Sequence, residues 1–237
     1  MAQVTPALPD PGRYRLVVFD LDGTLYHQGP VRRGMLADLL VSPAPAGEPG
    51  RIMRLSVLRK FRILREDLAR RAPANFDAPL FARLAAETGY SETVLRSLVS
   101  QWIEVRPLPR LGAARVAGAA ELFAALRARG IQIAVWSDYP VQEKLPALGL
   151  HADHLLSALD PDVAALKPDP AGLLELIRRT GVTQGEVLMI GDRDSHDGAA
   201  ARAAGVDFLL RARRGPPGIP RVSDFVDLAA RIGPSAP

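Results

Sequence analysis

The chain has 237 residues, 48% of them hydrophobic, and a formal net charge of +4. This length suits one large domain, or one domain with an insert. Because the chain has no cysteine, disulfides, zinc–thiolate sites and cysteine nucleophiles are excluded. Its four histidines are scattered, so we expect any bound metal to be an oxygen-liganded cation such as Mg²⁺.

The beginning of the chain carries no targeting pattern. Residues 1–12 are polar and rich in proline, and we expect a short disordered lead rather than a signal peptide. No apolar run approaches the roughly 20 residues of a membrane span. We therefore expect a cytoplasmic protein without a membrane partner.

The first strand pattern ends in a pair of carboxylates. An apolar run from Leu16 to Phe19 is followed by Asp20 and Asp22, and Gly23 can turn the chain so that the two acids lie side by side. Carboxylates this close repel each other unless a cation lies between them. The pair indicates either a divalent-metal site or an ordinary polar turn, and taken alone it favours the turn.

The next part of the chain has only helical patterns. Helices are predicted over residues 31–41, 51–71, 80–88 and 92–104. Residues 42–50, rich in proline, glycine and alanine, read as a linker. No strand pattern occurs between Tyr26 and Leu111. We therefore predict an all-helical unit inserted after the first strand.

Two stripes run along the predicted helix 51–71. The apolar stripe, expected to pack inside the helical unit, consists of Met53, Val57, Phe61, Leu64 and Leu68. The basic stripe beside it consists of Arg51, Arg54, Arg62 and Arg65. A solvated face is the default expectation for the arginines. A face that binds an anionic substrate, or one that binds nucleic acid or an anionic membrane, stays open, although no interleaved aromatic residues support the last.

After residue 111 the pattern changes to alternating strands and helices. Strands are predicted over residues 131–136, 154–157, 187–190 and 207–210, with helices at 116–129, 141–148, 171–180, 198–204 and 225–232. Such alternation is typical of an α/β fold with a doubly wound parallel sheet. The predicted division is an α/β core of residues 13–29 and 112–237, with the helical unit at 30–111.

Polar residues follow the strands of this predicted sheet. Asp20 and Asp22 follow the first strand, Ser137 follows the strand 131–136, and the acidic segment GDRDSHD at 191–197 follows the strand 187–190. Lys167 lies in the loop before the helix 171–180. Because ligands bind beyond the carboxyl ends of parallel strands, we expect these groups to face one another.

These ordered motifs resemble those of the haloacid dehalogenase-like (HAD) superfamily. The matching features are DLDGTLY at residues 20–26, Ser137 after an apolar strand, Lys167 followed by proline, and GDRDSHD at 191–197. The resemblance implies a Rossmann-like core with the helical unit as a cap over the active site. Within this superfamily, the sequence generically resembles phosphoglycolate-phosphatase-like members with a helical cap.

The resemblance implies a role for each strand-end residue. Asp20 would be the nucleophile that forms an aspartyl-phosphate, and Asp22 the general acid and base. Ser137 would hold phosphate oxygens, and Thr24 would fix the loop or the phosphate. Lys167 would neutralise Asp20 and the transferring phosphoryl group.

The resemblance also implies Mg²⁺ as cofactor. The ion would be bound by Asp20, the backbone carbonyl of Asp22 and Asp192, with Asp197 acting through a water molecule. For Asp194, a metal ligand and a solvated loop acid both stay open.

The acid at position 22 indicates the class of reaction. Relatives that break carbon–halogen bonds lack an acid there, because a halide leaves without a proton, and transport ATPase relatives carry threonine. The expected function is therefore that of a Mg²⁺-dependent phosphatase acting on a small phosphorylated metabolite, a phosphomonoester.

Other functions stay open beside the phosphatase. A phosphomutase would use the same residues to return the phosphoryl group to a sugar. Two functions without catalytic turnover also stay open: a phospho-acceptor signalling module, such as a receiver domain, and a non-catalytic binding protein on the HAD scaffold. No nucleic-acid partner is expected, and the sequence indicates neither the oligomeric state nor the identity of the phosphomonoester.

Overall fold

The computed structural model describes residues 11–43, 47–71 and 75–232. Residues 1–10 of the predicted lead lie outside these ranges, as do residues 44–46 of the predicted linker. A short 3₁₀ turn at Pro11–Arg13 opens the described part of the chain.

A six-stranded sheet forms the centre of the fold, and every adjacent pair of strands is parallel. The strands are β1 Leu16–Phe19, β2 Gln132–Ser137, β3 His154–Ser157, β4 Val187–Gly191, β5 Asp207–Arg211 and β6 Arg221–Val222. Their order is β3-β2-β1-β4-β5-β6, which places β1 between β2 and β4. This is the predicted doubly wound sheet.

Helices cover both faces of the sheet and fill the segment between β1 and β2. They are α1 Gln28–Val41, α2 Arg51–Arg71, α3 Asp77–Thr88, α4 Glu92–Val99, α5 Leu108–Ala114, α6 Ala119–Ala128, α7 Lys144–Ala147, α8 Ala171–Thr180, α9 Ala199–Ala204 and α10 Val226–Ile232. The first five belong to the helical cap. Within the described ranges, none of the helices has the length and apolarity needed to cross a membrane.

Strand β1 is buried on both faces because its side chains alternate between two hydrophobic cores. Phe19 packs on one face against Phe123 of α6, with ring centroids 4.8 Å apart, and against Phe225 edge to face. Val18 packs on the other face in a cluster with Trp136 of β2. Burial on both faces explains why the strand reads as a continuous apolar run.

The cap has an apolar core of its own. Val57, Phe61 and Leu64 of the predicted apolar stripe are buried in it, which confirms packing for these three. Met53 is 44% exposed, so the prediction is wrong for this residue, and Leu68 is half-buried. Leu68 packs against the edge of the cap core, so the α2 stripe differs from the sequence pattern only at its first residue, Met53.

Two helices of the cap differ from the predicted helices. Helix α1 begins at Gln28, three residues before the predicted start. Helix α5 was not predicted, because Pro107 and Pro109 resemble a loop signal. Proline is tolerated in the first turn of a helix, where its missing N–H would have had no partner.

The solvated-face interpretation of the basic stripe is wrong for two of its four arginines. Arg54 is 1% exposed, and its guanidinium donates to the carbonyl of Pro43 at 3.0 Å. Arg65 is 7% exposed and donates to the backbone carbonyl of Asp138 in the α/β core. Backbone carbonyls and aromatic rings take the place of water around these side chains. Arg51 and Arg62 are exposed.

Candidate active site

Three carboxylates from two strand ends meet at the carboxyl edge of the sheet. Asp20 follows β1, while Asp192 and Asp197 follow the neighbouring strand β4. One oxygen from each lies within 4.8 Å of the others. A π-helical turn over Asp194–Gly198 curls Asp197 back toward β4, and its carboxylate accepts a hydrogen bond from the backbone N–H of Arg193 at 3.0 Å.

The electrostatics of this acidic cluster suit a divalent cation. Burial raises the pKa of Asp20 well above its usual value, and the charges of Asp197 and Asp192 add to that effect against the opposing charge of Lys167. Burial, with the charge of Asp197, raises the pKa of Asp192 to about 6. Carboxylate oxygens are the ligands that Mg²⁺ prefers, so the donor set fits this ion.

Asp194 lies apart from the cluster. Its carboxylate forms a salt bridge with Arg202 at 2.7 Å, on the more exposed side of the loop. Of the two possibilities that the sequence left open for Asp194, this position favours the loop acid.

Lys167 joins the nucleophile candidate to the acidic cluster. Its ammonium donates to Asp20 at 2.8 Å, to Asp197 at 2.9 Å and to the carbonyl of Trp136 at 2.9 Å, and its side chain is only 2% exposed. Burial opposes the charge of Lys167, but Asp197 and Asp20 outweigh burial and raise its pKa. Lys167 is therefore a permanent positive charge beside Asp20.

Thr24 and Gly23 shape the turn after β1. The Thr24 hydroxyl donates to Asp20 Oδ2 at 2.8 Å, while Lys167 occupies Oδ1, so both oxygens of Asp20 are held. Gly23 has a φ of +108°, and a Cβ at this position would lie 2.1 Å from an oxygen of Asp192. The turn therefore requires glycine both for its backbone angle and for the approach of Asp192.

Asp22 lies outside the acidic cluster and has partners that the sequence did not predict. Lys144 of α7 donates to its two oxygens at 2.8 and 3.1 Å, and the Tyr26 hydroxyl donates to Oδ1. Ser137 donates to Oδ2 at 3.3 Å. Gln28 donates to the backbone carbonyl of Asp22, an atom that the HAD resemblance implies as a Mg²⁺ ligand. A carbonyl oxygen has a second lone pair, so this contact leaves room for a metal.

The surroundings of Asp22 favour its ionised form. Burial alone would raise its pKa, but Lys144, followed by the Tyr26 and Ser137 hydroxyls, outweighs burial and lowers the pKa below the usual value. One signal for Lys144 was present in the sequence: it is one of only three lysines in an arginine-rich chain.

A cleft of about 830 Å³ separates the cap from the α/β core above these residues. Asp20, Asp22 and Lys167 lie on its floor, and side chains of α1 and α2 line the opposite wall. Glu66 of α2 crosses to the acidic loop and forms a salt bridge with Arg193 at 2.8 Å, together with a contact to His196 at 3.2 Å. The cap is thereby connected to the loop that carries the β4 acids.

Comparison with known proteins shows to which family the chain belongs. Residues 14–205 match the haloacid dehalogenase-like hydrolase family. The chain belongs to the haloacid dehalogenase-like hydrolase family. The matched range covers the α/β core from β1 to α9 together with the inserted cap.

Two curated relatives of this HAD hydrolase are phosphatases. The chain is 32% identical to the phosphoglycolate phosphatase of Rhodospirillum rubrum, over 83% of this chain and 78% of the relative. It is 25% identical to the glyceraldehyde 3-phosphate phosphatase of Methanopyrus kandleri, over 85% of this chain and 84% of the relative.

Solved structures share the fold. The HAD-hydrolase YfnB from Bacillus subtilis, bound to magnesium, superposes with a TM-score of 0.63 at 18% sequence identity. The alignment covers 93% of this chain and 99% of that one. At this identity the likeness shows a common architecture, an α/β core with a helical cap.

Proposed function

We propose that this HAD hydrolase is a Mg²⁺-dependent phosphatase that hydrolyses a small phosphomonoester through an aspartyl-phosphate on Asp20. The observation that carries the proposal is the unlike surroundings of the two carboxylates after β1. Asp20 belongs to the acidic cluster and contacts Lys167, whereas Asp22 points away from the cluster toward Lys144. These surroundings support Asp20 as the group that attacks phosphorus and Asp22 as the group that moves protons.

In the first step an Asp20 oxygen bonds to phosphorus and the bond from phosphorus to the ester oxygen breaks. The leaving alkoxide takes a proton from the Asp22 carboxyl group, which must first bind that proton because Lys144 favours its ionised form. Lys144 stabilises the charge that then appears on Asp22, while Lys167 offsets charge at Asp20 and the phosphoryl group. Thr24 keeps the Asp20 carboxylate in one orientation.

In the second step a water molecule attacks phosphorus and gives its proton to Asp22. The bond from phosphorus to Asp20 breaks, which releases inorganic phosphate and restores the starting carboxylate of Asp20. Water and the phosphomonoester are thus converted into an alcohol and phosphate. The ionised form of Asp22, which Lys144 favours, is the form that this step needs.

Asp20, Asp192 and the backbone carbonyl of Asp22 would hold Mg²⁺, with Asp197 acting through a water molecule. When bound, the ion would offset negative charge and orient the phosphoryl group. The curated phosphatase relatives support the proposal, and so does the carboxyl group of Asp22, because an alkoxide needs a proton to leave whereas a halide does not.

Hydrolysis of p-nitrophenyl phosphate tests the proposal. We expect activity with Mg²⁺, none with EDTA and none for Asp20→Asn, and we expect intact-mass spectrometry to detect a phosphorylated chain only when Asp20 is present. Asp194→Asn is the matched control, because Asp194 is an acid of the same site region that pairs with Arg202. Activity that survives EDTA or Asp20→Asn would overturn the mechanism. Release of inorganic phosphate separates a phosphatase from a phosphomutase.

A further inference from the structure

The cleft is larger than a two-carbon phosphate requires. Its volume of about 830 Å³ lies toward the upper end of the range for pockets that enclose drug-sized ligands. The reacting groups occupy only its floor. Most of the cleft surface therefore contacts a part of the substrate other than the phosphoryl group.

Large aliphatic side chains of the cap line this cleft without being buried. Leu36 of α1 and Leu55 and Ile63 of α2 are 47%, 47% and 56% exposed, and all three lie on the cleft wall. Exposed apolar surface that is gathered in a concave site indicates a binding surface. A ligand with an apolar body would remove this surface from water.

Two arginines of α2 interrupt the apolar wall. Arg59 and Arg62 are one helical turn apart, and both line the cleft and are exposed. The charge of Arg62 acts on Tyr139, which lies next to the reacting groups. Neither arginine forms an ion pair with a carboxylate in the described ranges of the chain.

Six other arginines of the cap are neutralised by carboxylates, whereas Arg32 of α1, which also lines the cleft, has no such partner in the described part of the chain. Ion pairs with Asp or Glu are formed by Arg54, Arg70, Arg71, Arg83, Arg96 and Arg110. Glu66 also lines the cleft, but its carboxylate contacts Arg193 and His196 of the core. Positive charge at Arg59 and Arg62 is therefore left for a ligand.

We propose that the substrate is a phosphomonoester of an elongated, mostly apolar alcohol that carries a second anionic group. Its apolar part would lie against Leu36, Leu55 and Ile63, and its second anion would bind Arg59 and Arg62. This inference rests on the proposed phosphatase function. It predicts that phosphoglycolate, which has the second anion but no apolar body, is a poor substrate of this enzyme.

A series of phosphooxy carboxylic acids tests the inference. The probes are phosphoglycolate, 6-phosphooxyhexanoate and 10-phosphooxydecanoate, with hexyl phosphate as the matched compound that lacks the carboxylate. We expect kcat/KM to rise about tenfold or more from phosphoglycolate to the longer acids, because each added methylene buries apolar surface. We expect 6-phosphooxyhexanoate to exceed hexyl phosphate.

Variants of α2 separate the contribution of the second anion to binding from that of the apolar chain. Arg62→Gln should raise KM about tenfold for 6-phosphooxyhexanoate and much less for hexyl phosphate. Leu55→Ser should reduce the rise in kcat/KM with the chain length of the substrate. Arg51→Gln and Ile52→Ser are the controls, since these exposed residues of the same helix lie outside the cleft lining. They should leave unchanged both the KM for 6-phosphooxyhexanoate and the rise in kcat/KM with chain length.

Two results would overturn the inference. One is a kcat/KM that is highest for phosphoglycolate and does not rise with chain length. The other is an Arg62→Gln effect that is equal for the acids and for hexyl phosphate. If p-nitrophenyl phosphate and every compound in the series remain intact, the proposed phosphatase function itself fails, and the inference fails with it.

Discussion

The Lys144 ammonium donates to both carboxylate oxygens of Asp22, at 2.8 and 3.1 Å. The lysine side chain is only 3% exposed, so the pair is shielded from solvent. In such surroundings a lone charge is costly, while two opposite charges with further hydrogen bonds offset each other. Tyr26 and Ser137 supply those additional hydrogen bonds. Lys144 and Asp22 therefore form one unit, although 122 positions separate them in the chain.

Removal of this lysine should reduce both stability and turnover. Lys144→Met leaves the Asp22 charge unpaired, so we expect a loss of about 3 kcal/mol in the free energy of unfolding. The Lys144→Met/Asp22→Asn double variant should lose less than the sum of the single losses, because no unpaired carboxylate remains. Chemical denaturation of the four proteins measures the difference. Additive losses would show that the two residues do not act as a unit.

The same substitution should slow the second step of the proposed reaction. Lys144 favours the ionised form of Asp22, which would accept the proton of the attacking water, so we expect Lys144→Met to reduce kcat about tenfold to a hundredfold. The loss should be similar for an alkyl phosphate and for p-nitrophenyl phosphate, because both would form the same aspartyl-phosphate. Lys60→Met is the control, because Lys60 pairs with Glu87 on the cap surface. A loss confined to the alkyl phosphate would contradict this role of Lys144.

Gly23→Ala should damage the proposed Mg²⁺ site more than the fold. The added Cβ would lie 2.1 Å from an oxygen of Asp192, and a φ of +108° is unfavourable for alanine. We expect Mg²⁺ affinity to fall about tenfold or more, measured by calorimetry, with a loss of about 1–3 kcal/mol in stability. Gly130→Ala is the control, since Gly130 has a positive φ but nothing within 4 Å. It should lose stability without losing Mg²⁺.

The response to Mg²⁺ should depend on pH. Burial raises the pKa of Asp192 from the usual 3.8 to about 6, so its contribution to the stability of the metal-free fold is present below pH 3.8 and is lost as the pH rises through about 6. Protons would compete with Mg²⁺ for the carboxylate oxygens that are proposed to bind it. The rise in Tm on adding Mg²⁺ should therefore be larger at about pH 7.5 than at about pH 5.5.

Asp192→Asn provides the comparison for this pH dependence. The variant removes the titrating carboxylate, so its Tm should respond weakly to Mg²⁺ at both pH values. A wild-type response that does not change with pH would contradict the assignment of Asp192 as a metal ligand.

Glu66→Gln should loosen the cap without unfolding it. The Glu66–Arg193 pair is about half exposed, so its loss should cost at most about 1 kcal/mol. The pair nevertheless joins α2 to the acidic loop, and hydrogen exchange of the acidic loop should become faster. Glu87→Gln breaks ion pairs within the cap only, with Lys60 and Arg83, and should leave exchange near the acidic loop unchanged. Equal hydrogen exchange of the acidic loop in the two variants would show that Glu66 does not restrain the cap.

Much of the fold could be predicted from local patterns. Strand β3 and helix α8 match their predicted bounds of 154–157 and 171–180, and α8 ends at Gly181 in the left-handed conformation, as the glycine indicated. The polar groups at the strand ends could also be predicted to face one another, because a parallel sheet brings its carboxyl ends to one edge.

Long-range contacts of single charged residues could not be predicted in this way. Lys144 lies on a helix of only four residues, and no local pattern indicates that its ammonium reaches Asp22. Arg54 and Arg65 read as surface residues because arginine is usually solvated. Arg65 donates to the backbone carbonyl of Asp138, and Arg54 donates to that of Pro43 beside its ion pair with Glu48. A carbonyl acceptor leaves no signature in the sequence.

The Arg65 contact has a consequence for exchanging parts between relatives. This cap side chain binds the carbonyl of Asp138 and lies 4.1 Å from the centre of the Tyr139 ring, while the Asp138 carboxylate accepts a hydrogen bond from the backbone N–H of Lys167. A cap transplanted from a homologue without a matching arginine would leave this loop unsupported. Chimeric enzymes built on this scaffold should therefore take the cap and the Asp138–Tyr139 loop from the same parent.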